Sequence, residues 1–227
     1  MSQSNQRPKR ISHLAACALL CAAPALQAAP VSIGISAVSL TPGTGYGIDS
    51  GPNPENGGTL LDVRFVNTFV AQSFALTHVG HRISFDFATV NFAEPNTGKG
   101  SNEGIRKQEL DNIGLTTSFS FTDPVGNAIQ LAADVTAHIG PIDDAEVDYA
   151  IAWAPVEADF GIGGRFRLSA DPLSFTSNST QTARATVELL AAPEQQQSVT
   201  AVPEPASLAL AGVALAVAGV VRRRRVR

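Results

Sequence analysis

The sequence predicts an all-β fold: an antiparallel β-sandwich of jelly-roll type, the ectodomain, over residues 29–191, followed by a single C-terminal transmembrane helix. Three observations lead there. Apolar side chains recur at every second position through much of the interior, as on strands with one buried face. Clusters of Gly, Pro, Asn and Asp punctuate those runs at short intervals, as connections between strands require. Residues 206–221 form an apolar stretch near the C-terminus that ends in arginines.

Residues 1–28 have the three-part layout of a secretory signal. Arg7, Lys9 and Arg10 make a basic start, and 14–23 is an apolar run too short to span a membrane as a stable helix. Pro24 breaks that run ahead of Ala28. Cleavage by a signal peptidase is expected between Ala28 and Ala29. Cys17 and Cys21 both lie in the removed segment, so the mature chain would have no disulfide and no thiolate. Leu14-Ala15-Ala16-Cys17 resembles a lipoprotein processing box, but Ser12 and His13 leave little apolar chain ahead of it.

Strands follow from the period of two. Ile83, Phe85 and Phe87 alternate with Ser84, Asp86 and Ala88; Phe119 and Phe121 alternate with Ser118, Ser120 and Thr122. Val147, Tyr149, Ile151 and Trp153 alternate with acidic and small residues, and Phe166 and Leu168 flank Arg167. Further strands are expected at 31–40, 60–66, 69–77, 128–138, 173–176 and 183–190, nine or ten in all. Turn chemistry separates them at 123–127, 140–144, 161–164 and 170–172. Two long irregular loops, 41–58 and 94–112, stand out, with a short helical turn expected near 104–110.

Several residues invite a chemical reading. Gly43-Thr44-Gly45-Tyr46-Gly47 lacks the G-x-G-x-x-G spacing and a following helix, so it reads as a turn-rich loop rather than a phosphate cradle. His78 and His81 would share a metal only if Val79-Gly80 made a turn, and no third ligand is identifiable. Asp143, Asp144, Glu146 and Asp148 are the densest acidic cluster. Oxygen-rich clusters suit Ca²⁺, but the spacing of a helix–loop–helix site is missing, and a solvated acidic edge with Glu146 and Asp148 on the outer face is expected. No Gly-x-Ser-x-Gly elbow is present, and no cofactor is implied.

The C-terminal segment is the most specific feature. Residues 192–202 are rich in Gln, Pro and small residues, which fits an extended linker. Pro203-Glu204-Pro205 comes next, then 206–221, which reaches about 24 Å as a helix, then Arg222, Arg223, Arg224, Arg225 and Arg227. Arginines on one flank place the C-terminus in the cytoplasm and the rest outside. This order of parts over 203–227 resembles the PEP-CTERM sorting signal. The resemblance implies an exosortase as processing enzyme at Pro203-Glu204-Pro205 in a Gram-negative bacterium, and passage from the inner membrane to the cell surface or the exopolysaccharide of a biofilm matrix. Glu94-Pro95-Asn96 also resembles a stretch of the choice-of-anchor domains found ahead of such tails, implying a β-rich surface domain without a known reaction.

The formal net charge of −4 averages over unlike parts. Between residues 29 and 205 there are eight basic and twenty acidic residues, a formal −12 for that stretch. Such a segment lacks the clustered Lys and Arg that bind nucleic acid. The functional expectation is an exported, non-catalytic surface or matrix protein. A carbohydrate-binding module using Trp153 and Tyr149 is the alternative, with Arg165 and Arg167 as the nearest basic patch for an acidic polysaccharide. A secreted hydrolase comes third.

Overall fold

The computed structural model describes residues 29–49, 59–95 and 104–194. They form eleven strands: β1 Val31–Pro42, β2 Val63–Asn67, β3 Gln72–Leu76, β4 Arg82–Phe92, β5 Leu115–Asp123, β6 Ala128–Ala137, β7 Tyr149–Trp153, β8 Val156–Phe160, β9 Gly164–Ala170, β10 Leu173–Phe175 and β11 Ser179–Ala191. One sheet runs β10-β7-β6-β5-β1-β3 and the other β2-β4-β11-β9-β8. Every strand pairing is antiparallel. The all-β expectation holds, and the chain crosses repeatedly between the sheets, as a jelly-roll arrangement does. The helical turn expected near 104–110 is a single 3-10 turn, Lys107–Leu110. Among the described residues no helix is long and apolar enough to cross a membrane; 206–221 lies outside them.

Alternation builds one core between the sheets. Leu115, Thr117, Phe119 and Phe121 of β5 face Phe85, Phe87, Val90 and Phe92 of β4, joined by Ala183, Ala185, Val187 and Leu189 of β11. Phe87 packs edge-on against Phe119 and Trp153, at ring-centroid distances of 5.3 and 6.0 Å. Burying a side chain of this size stabilises by about 1.5–3 kcal/mol.

Two bulges keep long strands in phase with that core. In β1 the inward residues are Val31, Ile33 and Ile35, then Val38, with the register shift falling at 35–37. In β4 they are Phe85 and Phe87, then Ala88, Val90 and Phe92, with the register against β11 shifting at the same place. An extra residue at each site moves the apolar set from odd to even positions and so keeps one face buried.

The registers sort the connections between two poles. Val31 pairs with Leu76, Gly34 with Asp123, and Ala191 with Arg165, so the start of β1 and the end of β11 share one pole. Ala29, Pro30 and Pro193 line a groove of about 280 Å³ there, together with Ser32, Asp123, Pro124 and Phe160. Turns 77–81, 124–127 and 161–163 close the strands at this end. At the opposite pole Pro42 pairs with Leu115, Val63 with Phe92, Ala137 with Tyr149, and Tyr149 with Phe175. The described loop segments 43–49, 59–62, 93–95, 104–114, 138–148 and 176–178 gather there. They are tied by Gly43 N–H to the Gly114 carbonyl at 2.7 Å, by reciprocal Ile105–Gly140 bonds at 3.0 Å, and by Asn178 Nδ2 to the Glu94 carbonyl at 2.7 Å.

Candidate functional site

Ala29 is the first described residue. Ala28, the sorting motif Pro203-Glu204-Pro205 and Arg222, Arg223, Arg224, Arg225 and Arg227 lie outside the described residues. The rest of the candidates fall inside.

Tyr149 and Trp153 fill the core. Tyr149 is 0% exposed and stacks on Phe92 at 5.6 Å; Trp153 is 6% exposed, and its indole N–H donates to Thr117 Oγ1 at 3.1 Å. Neither ring is placed to stack on a sugar. Tyr149 instead meets Tyr46, their hydroxyls 3.0 Å apart, while the Tyr46 hydroxyl donates to the Ile113 carbonyl. Burial pushes the Tyr46 phenol up to about 12 and the Tyr149 phenol further in the same direction.

The Gly-rich segment 43–47 has a packing role. A Cβ on Gly43 would fall 1.9 Å from the Asn112 carbonyl oxygen, and one on Gly45 2.0 Å from that of Asp111. Only glycine lets the loop backbone lie against residues 111–114 and set Tyr46 over Tyr149.

His78 and His81 are brought together by the turn that joint action would require. His81 N–H donates to the His78 carbonyl at 3.0 Å, Gly80 has a φ of +86°, and the two rings stack in parallel at 5.1 Å. His81 Nδ1 accepts the Thr77 N–H at 3.0 Å, which leaves its proton on Nε2. Among the described residues no group of three or more His, Cys, Asp or Glu is arranged to hold a metal ion.

The acidic cluster needs one correction. Glu146 is exposed, as expected, but Asp148 is only 3% exposed rather than on a solvent face. It precedes the first residue of β7, and its backbone is held by His138 N–H and the Phe175 carbonyl, both at 2.8 Å. Loop 139–147 folds back over it, and Asp143 N–H donates to its carboxylate. Burial, together with the nearby charges of Asp144 and Asp143, raises its pKa above the ordinary carboxylate value.

Arg165 and Arg167 are not a free basic patch. Registers place Arg82 and Arg167 on either side of Glu188, with Arg167 opposite Glu157 and Arg165 opposite Asp159. The side chains pair accordingly: Arg82–Glu188 and Arg167–Glu157 at 2.8 Å, and Arg165–Asp159 at 2.6 Å. This ladder of cross-strand ion pairs crosses β4, β11, β9 and β8 and neutralises the outer face of the sheet. The 450 Å³ groove beside it is lined by Glu157, Asp159 and Arg165 themselves.

A second group of charged side chains sits on the loop pole. Its described residues include Asp49, Asp62, Glu94, Glu109, Asp111, Asp143, Asp144, Glu146 and Asp148, against Arg106 and Lys107. Asp62, Glu94 and Glu109 are buried within it, with Asp62 N–H donating to Glu94 Oε2 at 3.0 Å and Arg106 N–H to Glu109 Oε2 at 2.7 Å. The turns of the other pole, 77–81, 124–127 and 161–163, contain no Asp, Glu, Lys or Arg. The alternation of strands gave no hint of this polarity, because it depends on which strand ends meet.

Comparison with known proteins places one part of the chain. The family model of the PEP-CTERM protein-sorting motif matches residues 201–225. No curated protein and no solved structure matches the chain. The motif implies an exported protein with a C-terminal membrane-anchoring signal and an exosortase as its processing partner.

Proposed function

We propose that this chain is a non-catalytic structural protein of the bacterial surface or exopolysaccharide matrix, delivered there by exosortase processing of its C-terminal signal. The observation that carries the proposal is the sorting motif at 201–225. The signal at 1–28 starts export, 206–221 halts translocation with its arginines inside, and processing at Pro203-Glu204-Pro205 releases the domain outward.

The interior of the sandwich supports a structural role. Its aromatic residues are committed to the core, and its basic residues on β4, β9 and β11 are paired with carboxylates. The carbohydrate-binding alternative has lost the two aromatic residues that motivated it.

The test is a pair of variants in a host with an exosortase: deletion of 222–227, and the triple change Pro203→Ala, Glu204→Ala, Pro205→Ala. Both should be exported and lose the N-terminal signal, yet stay in the inner membrane unsorted. Normal surface delivery of both variants would refute the proposal.

A further inference from the structure

We infer that the pole where the chain enters and leaves the sandwich is a lipid-contacting face, seated on the bilayer while the C-terminal segment is still anchored. The inference rests on the reading of 206–221 as a membrane span and goes beyond it by assigning a surface of the folded domain to the membrane.

Three features of this pole converge. The first is position: Ala29 and Pro193 line the same groove, so the chain attaches to the sandwich at one end only. Eleven residues, 195–205, separate the last described residue from the apolar segment. Eleven residues reach at most about 36–40 Å even when fully extended, which keeps this pole within that distance of the membrane surface.

The second is chemistry. Two of the turns at this pole carry an exposed branched aliphatic residue, Val79 and Ile162, while Val125 of the third packs against the core. Val79 is 57% and Ile162 55% exposed. The turns that carry them have no full charge to desolvate, so they can enter the headgroup region where a Lys- or Asp-bearing turn could not. Their geometry is held by glycine, with φ of +86° at Gly80, +54° at Gly161 and +74° at Gly163. The tips also flank the exit of the chain: Gly80 N–H bonds to the Leu189 carbonyl at 2.7 Å, and Glu194 N–H to the Ile162 carbonyl at 2.8 Å.

The third is the field of the whole domain. The acidic residues of the opposite pole outnumber Asp123 and Glu194, which lie beside these turns, so an anionic leaflet repels that pole more strongly and turns this one toward the lipid. Position, turn chemistry and charge therefore select the same orientation.

The experiment uses the full chain with Cys17→Ser and Cys21→Ser, reconstituted in vesicles of phosphatidylethanolamine and phosphatidylglycerol. Single cysteines at Val79→Cys, Ile162→Cys, Ile139→Cys or Ala214→Cys carry an environment-sensitive fluorophore. Ile139, 52% exposed in loop 138–148, is the control on the far pole, and Ala214 reports insertion of the apolar segment. Probes at 79 and 162 should brighten by about twofold or more over the probe at 139 and be quenched by lipids carrying a spin label near the headgroup. If the probe at 214 is quenched while those at 79 and 162 behave like the one at 139, the domain hangs free and the inference is overturned alone. If the probe at 214 also stays in water, the membrane-span reading falls with it.

Discussion

Replacing Tyr46 and Tyr149 by phenylalanine, singly and together, tests how the loop pole is fastened to the core. Tyr149 is fully buried, and the hydroxyl of Tyr46 is its hydrogen-bond partner at 3.0 Å. Tyr46 has two bonds, one to Tyr149 and one given to the Ile113 carbonyl. Donation by Tyr46 to the carbonyl leaves Tyr149 as the donor in the hydroxyl pair.

Tyr149→Phe then removes one hydrogen bond and strands nothing, since Tyr46 still donates to Ile113. The expected cost is about 0.5–1.5 kcal/mol. Tyr46→Phe strands a buried hydroxyl and leaves the Ile113 carbonyl short of a donor. Each unsatisfied buried group costs about 1–3 kcal/mol, so this variant should lose roughly 3 kcal/mol. In the double variant the stranded hydroxyl is gone as well, and stability should be equal to or above that of Tyr46→Phe alone. For a domain of this size 1 kcal/mol moves Tm by about 2–4 °C, which thermal unfolding followed by near-ultraviolet circular dichroism resolves. Additive costs in the double variant, or a larger loss for Tyr149→Phe than for Tyr46→Phe, would refute the assignment of donors.

Phe87→Ala should cost about 3–5 kcal/mol by opening a cavity between Phe119 and Trp153, measured by urea unfolding with Trp153 fluorescence as the signal. Gly45→Ala should destabilise strongly, because its Cβ meets the Asp111 carbonyl at 2.0 Å, whereas Gly114→Ala has open space and should be neutral or stabilising by up to about 1 kcal/mol; the two melting temperatures decide. Asp148 gives a pH dependence of opposite sign to that of a salt-bridged carboxylate. Its folded pKa is raised, so the folded state binds the proton more tightly, and stability rises as pH falls from that raised value towards the unfolded value of 3.8. Asp148→Asn keeps an acceptor for Asp143 N–H and should raise Tm at neutral pH, with the gain vanishing near pH 4; an equal change at both pH values would contradict it.

The strands were legible where a period of two could be read over several residues, as in Leu115–Asp123 and Tyr149–Trp153. β8 is a strand that the sequence reading does not include, although Val156, Ala158 and Phe160 alternate with Glu157 and Asp159. The acidic residues resemble a loop until Arg167 and Arg165 are seen opposite them on β9, a cross-strand fact that no local pattern contains. The switch of phase at Phe87-Ala88 is visible in the sequence once a bulge is allowed. Asp148 departs from the alternation because it lies one residue before β7 begins, where a covering loop rather than the pleat decides burial. The two histidines met at the turn that their joint action requires, but the gathering of acidic loops at one pole needs the full strand order. Spacing along the chain could not supply that order.

The attachment of the outgoing chain to β11 also decides how the domain carries force. β11 lies in the middle of its sheet, bonded to β4 on one side and to β9 on the other. Tension entering at Pro193 and resisted at the opposite pole runs along the axis of this strand. The interstrand hydrogen bonds lie across that axis, so they are loaded in shear, together rather than one after another. Flow or a growing matrix pulling on the loops would meet the stiff direction of the sandwich, with the ion pairs of Glu188 set across the sheet near the exit end of β11. Traction at the other end of the strand, Ser179 pulled sideways from Phe92, would peel the same bonds in sequence.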